Sequence, residues 1–227
     1  MTTACMMFAA GFGTRMKELT ATKPKPLIKV SGRPLIDHAL ALAQGAGCSP
    51  IVANLHYLPE QLEAHLAGTG VQTVHETPDI LETGGGLRNA LPLLGAAPLV
   101  TLNTDAVWAG PNPITALLSA WDPAQMDALL MCIPPEQVVG HKGAGDFLIS
   151  DTGQLSRGPG HVYGGVQIIK TDLLHAIPEP AFSLNVVWEK MRGQGRLYGM
   201  SYPGHWCDVG HPQGIKLAEE MLRAHGV

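Results

Sequence analysis

Two hydrophobic rhythms alternate along the first half of this chain. Continuous apolar runs at Ala4 to Phe8, Ile51 to Leu55 and Pro98 to Leu102 have the length of buried strands. Between the first two, Leu35, Ile36, Ala39, Leu40 and Ala43 recur with a helical period that opens after Pro34 and stops at Gly45 and Gly47. The pattern predicts further helices over Pro59 to Leu66 and after Thr83-Gly84-Gly85-Gly86, with a short strand over Val71 to His75. Such βαβ alternation specifies a largely parallel sheet with helices on both faces. The second half reads differently. Strand-like pieces at Ala128 to Ile133, Asp146 to Ser150, Gln154 to Arg157 and His161 to Ile169 are joined by short turns, which predicts antiparallel additions to the sheet. A helix near Leu184 to Arg192, a strand at Arg196 to Ser201 and an amphipathic helix from Pro212 to Ala224 complete the pattern, and the insertions are where an acceptor pocket can be built.

The first strand runs into Phe8-Ala9-Ala10-Gly11-Phe12-Gly13-Thr14-Arg15-Met16, followed by Lys23-Pro24-Lys25-Pro26-Leu27. Small residues let the main chain approach phosphate oxygens closely, and an arginine with two lysines supplies the countercharge. The competing reading is a glycine-rich turn of any α/β domain. Two other phosphate motifs are excluded by position. No Gly-x4-Gly-Lys-Ser/Thr run occurs, and a dinucleotide fingerprint would need glycine where Met16 stands and an acid near Ser31-Gly32-Arg33.

Composition narrows the class. With 227 residues, 45% of them hydrophobic, the chain is expected to form one domain over 1–227, whose two parts differ in pattern on either side of about residue 110. A net charge of −4 gives no general basic field for nucleic acid or an anionic membrane, so an anion must meet a local cluster of cations. Four scattered cysteines form no paired motif and point to a reducing, cytoplasmic compartment. The segment Met1-Thr2-Thr3-Ala4-Cys5 carries no basic side chain and reads as the start of a strand rather than a signal peptide.

Two acids stand where ligands gather. Asp105 follows the Leu99 to Thr104 run, beyond the carboxyl end of a parallel strand, as either a Mg²⁺ ligand or a turn cap. Asp208 lies in His205-Trp206-Cys207-Asp208-Val209-Gly210 and is either a second ligand or a surface acid. Nucleotide-bound Mg²⁺ takes one or two protein carboxylates, which this pair satisfies. Zinc is a third reading, since His205, Cys207, Asp208 and His211 cluster, though at no standard spacing.

Taken in order, Ala9 to Met16, Lys25-Pro26-Leu27, Glu82 to Gly86, Asn103-Thr104-Asp105, Gly145-Asp146-Phe147, Tyr163-Gly164-Gly165 and Trp206 to Gly210 resemble the sugar-phosphate nucleotidylyltransferases over nearly the whole chain. Within that family the chain looks most like the short N-acetylmuramate 1-phosphate uridylyltransferases of bacterial cell-wall recycling. The resemblance implies a Rossmann-like three-layer α/β sandwich with a mixed, mostly parallel central sheet. It also implies Mg²⁺-dependent transfer of a nucleotidyl group from a nucleoside triphosphate, UTP first, to a sugar 1-phosphate, by a monomer or homodimer. Carried over by position, Ala9, Ala10, Gly11, Gly13, Thr14, Glu76, Glu82, Gly84 and Asn103 hold the nucleotide, with Glu82 and Gly84 near the base. Arg15 grips the leaving pyrophosphate, Lys25 sits between the reacting phosphates, and Asp105 and Asp208 bind the metal. Gly145, Asp146, Gly164, Gly165 and Asn185 line the sugar site.

Three departures bear on substrate identity. Thr104 replaces a frequent glycine and is expected to crowd or hydrogen-bond a phosphate, His211 replaces a threonine, and Leu155-Ser156-Arg157-Gly158 stands where larger relatives carry a second active-site lysine. Either Arg157 substitutes for it or the short branch works without it. Alternatives are a mannose 1-phosphate guanylyltransferase, a phosphocholine cytidylyltransferase or, from another class, a nucleotide-sensing regulatory subunit. The last has no need of the metal acids. Most of the ten histidines and the Met6-Met7 pair read as structural.

Overall fold

The apolar runs of the first half form the middle of a seven-stranded sheet. A computed structural model describes residues 2–96 and 98–227; Met1, the head of the segment read as free of a signal peptide, lies outside them. In chain order the elements are β1 (Cys5–Phe8), the ribbon β2 (Lys29–Val30) and β3 (Arg33–Pro34), α1 (Leu35–Gly45), β4 (Ile51–Leu55), α2 (Pro59–Leu66), β5 (Gln72–His75) and α3 (Glu82–Leu94). Then come β6 (Leu99–Asn103), β7 (Ala106–Ala109), α4 (Pro113–Ala120), β8 (Ala128–Ile133), β9 (Val138–Val139), β10 (Phe147–Ile149) and β11 (Leu155–Arg157). The chain ends through β12 (Val162–Ile169), α5 (Leu184–Gly193), β13 (Leu197–Ser201), β14 (His205–Asp208) and α6 (Pro212–Ala224).

Strand order in the sheet is β13-β8-β12-β6-β1-β4-β5. Only β12 runs against the others, pairing antiparallel with β8 and β6. The two-residue period sorts side chains to opposite faces. Cys5 and Met7 join a core covered by α1, α2 and α4, whereas Met6 joins one covered by α3 and α5. Because both faces are dry, these strands read as continuous apolar runs. Each fully buried methionine of the Met6-Met7 pair contributes about 1.5–3 kcal/mol through burial.

The second half bears out part of the sequence reading and corrects the rest. β12 is an antiparallel addition between β6 and β8, but β8 is also parallel to β13, and β10 with β11 forms a separate antiparallel ribbon outside the sheet. The helix α4 and the strands β7, β9 and β14 went unread. β14 pairs antiparallel with β7 and parallel with β9, and α6 packs Ala218, Met221 and Leu222 onto Val107, Ala109 and Cys207 of this small sheet in a third core. This satellite brings the end of the chain back to the tip of β6. Among the described residues, no helix is long and apolar enough to cross a membrane.

Candidate active site

β1 ends at Phe8, and Ala9, Ala10 and Gly11 run out over the carboxyl edge of the sheet, where they wall a cavity of about 220 Å³ with Lys25, Glu82, Asn103 and Asp105. A polar bracket fixes this wall. The Ala9 amide donates to Asn54 Oδ1 at 2.8 Å, Asn54 Nδ2 donates to Glu76 Oε1 at 2.6 Å, and the Leu81 amide donates to Glu76 Oε2 at 2.7 Å. Glu76 is 1% exposed, so these bonds satisfy a carboxyl group that would otherwise be costly to bury. It ties the exits of β1 and β4 to the entrance of α3.

Gly13 turns the loop with φ 65°, and a Cβ there would approach Lys25 Cβ to 2.8 Å, so glycine is required by both conformation and space. Thr14 and Arg15 begin an exposed 3-10 segment, Thr14–Thr20, beyond the cavity wall. Gly84 is pressed against the Phe182 ring and donates its amide to the Phe182 carbonyl at 2.8 Å, a packing position at the start of α3. Glu82, exposed at the cavity rim, holds φ 59°, an uncommon conformation for a residue with a side chain.

Two distant acids meet beside Lys25. Lys25 is 8% exposed and donates from Nζ to Asp105 Oδ2 at 2.7 Å. Pairing of β14 with β7 sets Asp208 opposite Ala106, and the Val209 amide donates to the Asp105 carbonyl at 2.9 Å. Burial raises the Asp208 carboxyl above its ordinary range and the Asp105 charge raises it further, while Lys25, Arg15 and His141 pull it back. Two half-buried carboxylates on adjoining strand ends form a donor set that fits a hard dication with oxygen ligands.

The zinc reading fails on the same geometry. Cys207 faces the third core and burial pushes its thiol up to about 12. His211 accepts the Gly214 amide at 3.2 Å as the cap of α6, and His205 stacks on His225. No group of three potential ligands forms among the described residues.

Thr104, on the wall of the first cavity, is tied to the protein's own backbone. It is buried, and its hydroxyl donates to the Phe8 carbonyl at 2.7 Å, pinning the tip of β6 to the tip of β1. Thr104→Val is expected to cost about 1–2 kcal/mol of stability by leaving that carbonyl unpaired. Denaturant unfolding measures the loss, and an unchanged midpoint would refute the bond's importance. The KM for nucleotide should stay within about twofold, because the hydroxyl's proton is spent on the Phe8 carbonyl.

A second cavity of about 260 Å³ adjoins the first and shares Phe8, Thr83 and Asn103 with it. Its remaining wall includes Asp146, Tyr163, Asn185 and Trp188. Asp146 Oδ2 accepts the Tyr163 amide at 2.8 Å, which leaves Oδ1 for a ligand. Trp188 donates Nε1 to Gln167 Oε1 at 2.8 Å, and Gln167 Nε2 reaches Thr101 Oγ1 at 3.1 Å, so a buried chain from β6 holds the indole. Gly165 has φ 84°, and a Cβ there would strike the side chain of Asn103, one of the residues common to both cavities. Gly164 lies against the Trp108 ring and Gly145 against the backbone of Gly160. Asn54, Trp188 and Gln167 escaped the sequence reading. An asparagine inside the apolar run Ile51 to Leu55 was the available signal for the first; the other two carry none.

Residues 5–201 match the family model described as a MobA-like NTP transferase domain. The chain is 37% identical, over 96% of its length and 96% of the relative's, to an N-acetylmuramate alpha-1-phosphate uridylyltransferase of Caulobacter vibrioides. It is 33% identical, over 96% of its length and 98% of the relative's, to one of Neisseria meningitidis serogroup B. The crystal structure of HddC from Yersinia pseudotuberculosis complexed with GMP-PN superposes with a TM-score of 0.79 at 20% identity, covering 96% of this chain and 99% of that one, a likeness of fold.

Proposed function

This chain belongs to the MobA-like NTP transferase family and is a nucleotidyltransferase, and we propose that it transfers the uridylyl group of UTP to N-acetylmuramate 1-phosphate, releasing pyrophosphate. The observation that carries this reading is the pair of adjoining cavities, one bounded by Lys25 and Asp105, the other by Asp146 and Asn185. Two phosphorylated substrates held there would meet at the shared residues Phe8, Thr83 and Asn103.

In the proposed reaction an oxygen of the sugar phosphate attacks the α-phosphorus of UTP as the bond to the β-phosphate oxygen breaks, and pyrophosphate leaves. The main chain of Ala9 to Gly11, braced by Asn54, cradles the nucleotide, and Gly13 holds the turn that sets Thr14 and Arg15 beyond it. Glu76 and Glu82 bound the base side. Lys25 neutralises charge growing on the attacked group, and Arg15 meets the departing pyrophosphate. Asp105 and Asp208 would hold Mg²⁺, which supplies charge neutralisation and alignment when bound. The Val209 amide on the Asp105 carbonyl, which joins the two acid-bearing segments, supports that assignment. Asp146 accepts from a sugar hydroxyl, with Gly145, Gly164 and Gly165 shaping the backbone around it. Four buried free cysteines support the cytoplasm as the place of action, where such an enzyme would return recovered cell-wall sugar to the nucleotide-sugar pool.

The test is pyrophosphate release across four nucleoside triphosphates and several sugar 1-phosphates. UTP should exceed GTP in kcat/KM by at least about tenfold, roughly 1.4 kcal/mol, because a site that hydrogen-bonds one base rejects another chiefly by leaving buried polar groups unpaired. A clear GTP preference with mannose 1-phosphate would transfer the chain to the guanylyl reaction.

A further inference from the structure

The second cavity carries a cation that a neutral sugar does not need. Arg157, at the end of β11, lines it opposite Asp146. Its guanidinium lies 4.4 Å from the centre of the Phe147 ring and 5.9 Å from that of Trp188. Nε donates to Glu189 Oε1 at 2.9 Å and Nη2 donates to Asn185 Oδ1 at 2.6 Å, both on α5. Asn185 is itself fixed by donating to Ser183 Oγ at 3.0 Å. Two aromatic faces and two hydrogen bonds therefore set the plane of the guanidinium. Nη1 makes no hydrogen bond to the described residues.

Glu189 does not cancel this charge. Its other oxygen, Oε2, accepts from Nε and Nη2 of Arg192 at 2.9 and 2.6 Å, so two guanidinium groups share one carboxylate and the cluster keeps a net positive charge. Asp146 contributes the cavity's negative group and serves hydroxyls. A guanidinium with a fixed plane and spare donors matches a carboxylate, and it lies outside the wall of the cavity that holds Lys25 and Asp105.

We propose that Arg157, braced by Glu189 and Asn185 against Phe147 and Trp188, determines acceptor specificity by binding a carboxylate carried on the sugar. This rests on the reading of the second cavity as the sugar site. N-acetylmuramate has such a group, a lactyl ether on O3, and N-acetylglucosamine is the same sugar without it. The wide, partly open cavity, with Arg157 37% exposed at its rim, leaves room for that substituent.

The experiment compares wild type with Arg157→Met, which retains the apolar stem against the rings, on the 1-phosphates of N-acetylmuramate and N-acetylglucosamine with UTP. Loss of a charge-assisted contact should lower kcat/KM for the acidic acceptor by about 10- to 100-fold, mostly through KM. The neutral acceptor and the KM for UTP should change by less than about twofold. An equal loss on both acceptors would overturn the proposal, because Arg157 would then serve the phosphate common to them, as would no loss on either. Calorimetric titration of both sugar phosphates into both proteins, without UTP, reads the same preference independently of turnover. If wild type turned over neither acceptor, the proposed reaction would fall. Preferential binding of the acidic sugar phosphate, lost in Arg157→Met, would still sustain the assignment, and its absence would overturn it.

Discussion

Asp105→Asn and Asp208→Asn are each expected to lower kcat for pyrophosphate release by about a thousandfold or more, the equivalent of several kcal/mol of transition-state charge stabilisation. Each removes one anionic oxygen from the position proposed for Mg²⁺, and asparagine is too weak a ligand to replace it. The double variant should lose little more than either single one, since both act through one ion. Folding should survive. Both side chains are only half-buried at the rim of the sheet, and removing one charge relieves the repulsion that raises the Asp208 carboxyl. Single-turnover rates across a Mg²⁺ series, with thermal melting as a control, test this; near-normal turnover of either variant at saturating Mg²⁺ would remove that residue from the ligand set.

The pair depends on a piece of architecture remote from the nucleotide loop. Asp105 is delivered by β6, Asp208 by the satellite sheet, and the two are locked together by the register of β14 on β7 and by the Val209 amide on the Asp105 carbonyl. The third core beneath them, with Ala218, Met221 and Leu222 of α6 on Val107 and Cys207, is what holds that register. A helix at the end of the chain thus sets the distance between two proposed metal ligands.

How much of this could be read beforehand depends on the range of the interaction. Helices α1, α2 and α6 announce themselves because proline stands at or just before the first turn and the apolar residues repeat with one clear period, as at Leu35 to Ala43. β1 and β4 are visible as short dry runs. The helix α4 was missed because Ile114, Ala116, Leu117 and Leu118 crowd it with apolar residues and blur the period. β7 and β14 were missed because four residues each, paired across a long separation, leave no local pattern. The same limit applies to the site. The small-residue loop and the lone acids were conspicuous, but their spatial neighbours were not. Thr104 illustrates the limit: read as a replaced glycine that would crowd or hydrogen-bond a phosphate, it also donates its hydroxyl to the Phe8 carbonyl, a partner no local pattern announces. Arg157 was read as either a substitute for a second lysine or a residue of a branch that works without one, and only its bonds to α5 show that it stands on the wall of the second cavity.

Lys25→Ala is expected to reduce kcat by about 100- to 1,000-fold with a smaller change in the KM for UTP. That is the cost of deleting one preorganised donor aimed at charge that develops only during reaction. Lys25 is held for this role. Its stem is buried under Gly13, and its ammonium is paired with Asp105 at 2.7 Å, so its position is set before any ligand binds. Arg15→Ala should differ, raising KM and lowering kcat together, because Arg15 lies in the exposed segment beyond the loop and meets only the proposed leaving group. Lys25→Arg should not restore the wild-type rate, since a planar guanidinium cannot occupy a space sized for an ammonium. Steady-state kinetics of the three variants in UTP and acceptor decide the matter. Wild-type kcat in Lys25→Ala would exclude it from the reacting centre and reduce its bond with Asp105 to a structural ion pair.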